Sequence, residues 1–218
     1  MGVRQLPRGR HRLTREEVTA SQRGRMLEAM AGAVAEKGYA NMAVADVVSG
    51  AGVSRETFYQ HFADKEDCFL AAFDLVVDAV RQTMVDAVAG RPADPLSRYD
   101  RALDAYLDLL CTEGATARVF LVDVYAAGPR AVARRRQVME EFVDVITEIF
   151  AARTASDRFA CEALVAATSA MVTVRVAAGE FDQLPGLRAP LVELARRLKL
   201  TPPARGTRPP YRRVTRRS

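Results

Sequence analysis

The chain has 218 residues, 49% hydrophobic and 27% charged, which suits one sizeable domain or a small one joined to a larger one and excludes global disorder. Its net charge of +5 is uneven: residues 1–25 carry +5, residues 201–218 carry +6 and the body between them −6, so a localised contact with a polyanion is expected instead of a generally sticky surface. Three scattered cysteines (Cys68, Cys111, Cys161) and only two histidines (His11, His61) argue against a disulfide framework or a zinc site, and with no run of about 20 apolar residues and no signal peptide, a cytoplasmic protein without metal, cofactor or membrane contact is expected.

Apolar residues recur at spacings of three and four almost throughout, and no segment alternates long enough for a strand, so the predicted fold is all-α. After a basic, flexible arm (1–20), a first helix is predicted over 21–37, with Ser21 as N-cap, Met26, Leu27, Met30 and Val34 on one face and Gly38 as its stop. A short helix over 44–50, a glycine-containing turn at 50–52 and a second short helix capped by Ser54 follow. Asp64 caps a long helix lined by Phe69, Phe73, Val76, Val80, Met84 and Val88, ended by "GRPADP" at 90–95. Further helices are predicted over 96–110, 115–127 and 129–153. The helix over 159–178 carries two apolar stripes and so needs covering twice, either inside a large core or between the core and a second chain. Together with the leucine-striped helix over 185–200 it is the expected homodimer surface. The Pro- and Arg-rich tail, 201–218, is expected to be disordered.

The stretch "AGVSRETFYQHFADKE" at 51–66 is the most informative. Two short helices joined by a tight turn have the layout of a helix-turn-helix, with Val47, Ala51, Val53, Phe58 and Phe62 facing inward. The other face presents Arg55, Thr57, Tyr59, Gln60 and His61, a mix of donors, acceptors and flat rings suited to base edges and phosphates, where an ordinary solvated helix would carry Lys and Glu.

The longer segment "NMAVADVVSGAGVSRETFYQHFADKEDCFLAAF" resembles the DNA-binding region of TetR-family transcriptional regulators through its A-G-V-S, F-Y-x-H-F and K-E elements. The resemblance covers about residues 21–73; beyond it only helix number and length fit. It implies an N-terminal three-helix helix-turn-helix DNA-binding domain (21–66) and a C-terminal helical ligand-binding and dimerisation domain (67–200). It further implies that Arg55, Thr57 and Gln60 approach bases, that Tyr59, His61 and Lys65 hold phosphates, and that backbone N–H groups near Val44 meet another phosphate. Three departures stand out: Met42 replaces a usual capping Thr, leaving Asn41 as a possible cap; Val48 replaces a small Ala; and Glu56 sits on the groove face. "LPRGRHR" at 6–12 could enter a narrow minor groove.

The resemblance also implies a pocket for a small, apolar or amphipathic effector, for which Tyr106, Phe120, Tyr125, Met139, Phe142, Met171 and Arg175 are the candidates. Arg175, on an otherwise apolar helix, calls for an acid: Asp123 or an anionic effector. The expected function is a sequence-specific repressor released from a palindromic DNA site by that effector. The alternative is a non-enzymatic interaction protein whose helix-turn-helix is vestigial. An enzyme is not expected, because Glu140 and Glu141 diverge on their helix and Ser54 has no histidine placed to activate it.

Overall fold

The structure is a computed structural model describing residues 14–90 and 94–198, and among these every regular element is helical. α1 (Arg15–Lys37) begins six residues before the predicted start. The Thr14 hydroxyl accepts from the Glu17 N–H at 3.2 Å while the Glu17 carboxylate accepts from the Thr14 N–H at 2.7 Å, so this capping box, not Ser21, nucleates the helix. The expected arm thereby loses 15–20; residues 1–13, with the proposed minor-groove segment, and the tail 199–218 lie outside the described residues.

α2 (Val44–Ala51) has no side-chain cap from Asn41, whose amide instead donates to the Lys37 carbonyl at 3.0 Å and closes α1. Asp46 does the work from inside the helix. Its carboxylate accepts from the Ala43 N–H at 2.8 Å and from Lys37 at 2.6 Å, tying α2 to α1. Gly52 then adopts the left-handed conformation (φ 60°, ψ 43°), which favours glycine, and Arg25 of α1 donates to the carbonyl of Ala51 beside it. α3 (Arg55–His61) starts at Ser54, whose hydroxyl accepts from the Thr57 N–H at 3.0 Å. α4 (Lys65–Val88) starts at Asp64, which accepts from the Asp67 N–H at 2.7 Å.

The rest is α5 (Pro95–Thr112), α6 (Gly114–Leu121), α7 (Pro129–Phe150), α8 (Ala155–Ala178) and α9 (Arg188–Arg197). The helix predicted over 115–127 stops at Leu121 and gives way to a 3-10 turn, Asp123–Ala126. α7 stops at Phe150 and not at 153, with Ala151 left-handed (φ 49°). α8 starts four residues early because Thr154 and Asp157 form another capping box. A 3-10 turn, Phe181–Gln183, precedes the last predicted helix, which itself opens with another, Pro185–Leu187, before α9.

Two hydrophobic cores result. The first holds α1–α3 and the start of α4, and it continues without a break into Val119, Phe120, Val124, Ala131 and Val138 of the C-terminal half. The second joins α5, α6, the later part of α7, α8 and α9. The stripe of α9 turns largely inward here: Leu187 and Leu191 are buried and the half-buried Leu194 and Leu198 pack beside them. On α8 one predicted stripe is buried (Cys161, Val172, Val176), whereas Phe159 and Val174 on the other side are 69% and 66% exposed. Contrary to the composition-based expectation, α8 is long and apolar enough to cross a membrane, with 28% of its most apolar window buried; its many Ala and Val residues raise the mean hydropathy, while Glu162, Arg175 and the interspersed Ser and Thr break the apolar run.

Candidate functional site

α3 is held from behind. Phe58 and Phe62 are 0% and 3% exposed, their rings 5.5 Å apart, and Arg23 of α1 lies over Phe62 at 5.3 Å. Val47 and Ala51 are buried and Val53 packs beside them, as their inward placement in the sequence requires. With that back face fixed, Arg55, Glu56, Tyr59 and Gln60 point to solvent. Tyr59 is 47% exposed, and the Arg55 guanidinium lies 5.8 Å from its ring centre, so cation and phenol form one projecting unit. Thr57 and His61 are half-buried, Thr57 with its hydroxyl 2.9 Å from that of Ser54.

Lys65 is used differently from the resemblance's expectation of a phosphate contact. Its ammonium donates to the carbonyls of Tyr39 and Met42 at 3.0 and 3.1 Å and sits 4.2 Å over the Tyr39 ring. It fastens the start of α4 to the α1–α2 connection, leaving at most one N–H for a phosphate. Burial is the main cause that raises the Tyr39 phenol to about 12. Val44 is half-buried at the first turn of α2.

A cavity lies where the two cores approach each other. Its interatomic space totals about 950 Å³ with its mouth, of which about 130 Å³ admits water-sized molecules. α4 contributes Phe73, Val76 and Val80; α5 Tyr99 and Tyr106; α6 Phe120; α7 Arg135, Met139 and Phe142; α8 Leu164, Thr168 and Ser169. Of the seven sequence-derived pocket candidates, Tyr106, Phe120, Met139 and Phe142 are therefore brought together. Tyr106 retains surface toward the cavity while being shielded from bulk solvent, and burial lifts its phenol to about 12.

The other three are not in the cavity. Tyr125 sits in the 3-10 turn that replaces the expected helix, which swings it outward to 57% exposure. Met171, 36% exposed, lies at the outer edge of the buried face of α8. Arg175 is roughly two turns beyond Thr168 along α8; its guanidinium donates to the Met171 carbonyl at 3.2 Å, and among the described residues no carboxylate, Asp123 included, stands within ion-pair distance. The Asp123 carboxyl is raised by burial, which outweighs the opposing pull of Arg118.

Sequence reasoning missed Arg135, 9% exposed and at the polar end of the cavity. Its guanidinium donates to the Tyr125 hydroxyl at 2.9 Å, to Ser169 at 3.2 Å and to Thr173 at 3.5 Å. The cavity also connects to α4 by packing. The Phe120 ring lies 5.6 Å from Phe69 and 5.8 Å from Phe73 of α4. A second tie is polar: Glu66, in the first turn of α4, accepts from the Arg130 N–H at 3.1 Å and so caps α7 from outside, while the Arg130 guanidinium reaches Asp64, Glu66 and Asp67 at 3.5–3.7 Å. Among the described residues no group of His, Cys, Asp or Glu is arranged to hold a metal ion.

Residues 27–72 match the family described as bacterial regulatory proteins, tetR family. The chain is 34% identical over 82 residues to the HTH-type transcriptional regulator EthR of Mycolicibacterium smegmatis, an overlap of 38% of each chain. It is 26% identical over 143 residues to the HTH-type transcriptional activator FasR of the same organism, covering 64% of this chain and 61% of the relative. The chain thus spans between about two fifths and three fifths of the length of these curated relatives. In fold it is similar to the fatty acid degradation regulator FadR from Bacillus halodurans, with a TM-score of 0.69 at 17% identity over 85% of this chain and 97% of that one. FadR from Bacillus subtilis, solved with stearoyl-CoA, gives a TM-score of 0.65 at 17% identity over 78% and 96%.

Proposed function

From the match of residues 27–72 to the tetR family of bacterial regulatory proteins, we propose that this chain is a cytoplasmic, homodimeric, sequence-specific repressor of that family that leaves a palindromic DNA site when a small apolar or amphipathic effector enters its cavity. The observation that carries this reading is the two-sided character of α3: Phe58 and Phe62 are locked in the core, while Arg55, Tyr59 and Gln60 project outward. Arg55 and Gln60, with Thr57 at their side, are placed for base edges; Tyr59 and His61 suit phosphates. The first turn of α2 at Val44 adds backbone N–H groups.

Reading a palindrome requires two recognition helices roughly 34 Å apart. The exposed side of α8, with Phe159 and Val174, supports the role of dimer surface. Effector control follows from Phe120, which lines the cavity and packs on Phe69 and Phe73 of α4. A molecule that displaces this ring moves α4, and with it the Lys65 attachment and α3.

The test is selection of bound duplexes from a random-sequence pool by the purified protein. An enriched two-fold symmetric site is expected, and its retention should fall when an effector is added. Failure to enrich any sequence would overturn the reading and favour an interaction protein with a vestigial helix-turn-helix.

A further inference from the structure

α7 carries four arginines, and their partners divide them sharply. Arg130 faces the acids at the start of α4; Arg134 pairs with Asp74 and Glu141 at 2.7 Å each; Arg136 pairs with Glu140 one turn on. Arg135 is the most buried of them, and it alone on α7 has no carboxylate within 4.0 Å among the described residues. Its partners are neutral hydroxyls, and Nη1 has no described acceptor. A buried guanidinium without a counter-ion is costly, and neutral hydroxyls offset only part of that cost.

The same residue forms part of the wall of an otherwise apolar cavity whose other polar side chains, Tyr99, Tyr106, Thr168 and Ser169, carry no charge. Along α7 the lining runs from Arg135 to Ile146, roughly three turns, so the cation stands at one end of a long aliphatic and aromatic wall, complementary to an elongated molecule. We propose that the effector is an elongated hydrophobic carboxylate, with its apolar body among Phe73, Val80, Met139 and Phe142 and its carboxylate on the Arg135 guanidinium. The proposal rests on the cavity being the effector site, and it deepens that reading by assigning the charge of the ligand and the residue that selects for it.

Binding is measured on the full-chain protein, stripped of ligand, without DNA, by calorimetry and by displacement of a fluorescent apolar dye. The probes are octanoate, dodecanoate and hexadecanoate, each with the alcohol and the alkylammonium of the same length, below their micelle concentrations. For at least one length the carboxylate is expected to bind about tenfold or more tighter than the alcohol, with the alkylammonium weakest. Arg135→Met should abolish that preference while leaving the alcohol's affinity within about twofold; Arg135→Lys should keep part of it, and thermal melting checks that both variants fold. No binding of any carboxylate, equal affinity for carboxylate and alcohol, or a preference that survives in a folded Arg135→Met variant would overturn the proposal. Because DNA takes no part, an enriched operator together with an indifferent cavity would defeat this inference alone, and a selective cavity with no enriched operator would defeat only the regulator reading.

Discussion

At the scale of single residues, Tyr59 and Lys65 both stand in or beside the helix-turn-helix but carry different loads. The Tyr59 phenol projects, and its ring is held edge-on to Phe58 at 5.3 Å, so Tyr59→Phe should keep the melting temperature and weaken binding to every duplex by about threefold to tenfold, as read by fluorescence anisotropy. Lys65 donates to two carbonyls and caps the Tyr39 ring. Lys65→Met should therefore destabilise the fold by about 1–3 kcal/mol, seen in chemical denaturation before any effect on DNA is considered. Such division of labour is only half written in the sequence. The inward set Val47, Phe58 and Phe62 follows from spacing, because burial has a period. Arg134, Arg135 and Arg136 read as one basic cluster; successive residues turn by about 100° around a helix, and that rotation alone sends the first to the acids of α4, the second to the cavity and the third to solvent.

Between elements, the joint of α4 with α7 is the contact most exposed to a single substitution. Gly128 has φ 121° and ψ 175°, a conformation almost confined to glycine, and a Cβ there would stand 2.8 Å from Glu66 Oε1. Gly128→Ala should displace the carboxylate from the Arg130 N–H, cost about 1–3 kcal/mol and weaken effector-induced release of DNA, measured as the ratio of DNA affinities with and without ligand. Ion pairs between other helices set the acid limit. The Arg188 hydrogen bond holds the Asp100 carboxyl below its ordinary value and ties α5 to α9, and Arg134, with Arg81, does the same for Glu141 between α4 and α7. A carboxyl whose folded value is depressed stabilises fully above its unfolded value, near pH 4, and loses that contribution as pH falls through the folded value. The melting temperature should thus drop on acidification below about pH 5, and Arg188→Gln should make that drop shallower. Helix ends were the least legible feature here: "TREE" at 14–17 and "TASD" at 154–157 are capping boxes in plain view, yet apolar periodicity starts after them and points to later boundaries. The 3-10 turn over Asp123–Ala126 had no comparable signal.

For the whole molecule, the all-α architecture, with an N-terminal helix-turn-helix and a C-terminal helical domain, was readable from periodicity and from the 51–66 stretch, whereas the division of its interior was not, since which helix covers which depends on contacts distant in the chain. The exposed side of α8 leads to an expectation about assembly: Val174→Glu should shift the protein from dimer to monomer in sedimentation velocity and abolish binding to a palindrome more than binding to non-specific DNA. The first core yields a constraint on engineering. Residues 119–138 supply Phe120, Val124, Ala131 and Val138 to the same packed cluster as Met26, Phe58 and Phe69. Anyone grafting a foreign helix-turn-helix head onto this C-terminal domain by splicing at residue 66 would pair two half-surfaces that were never fitted to one another. A workable hybrid would have to transplant those four side chains, or repack them, along with the head.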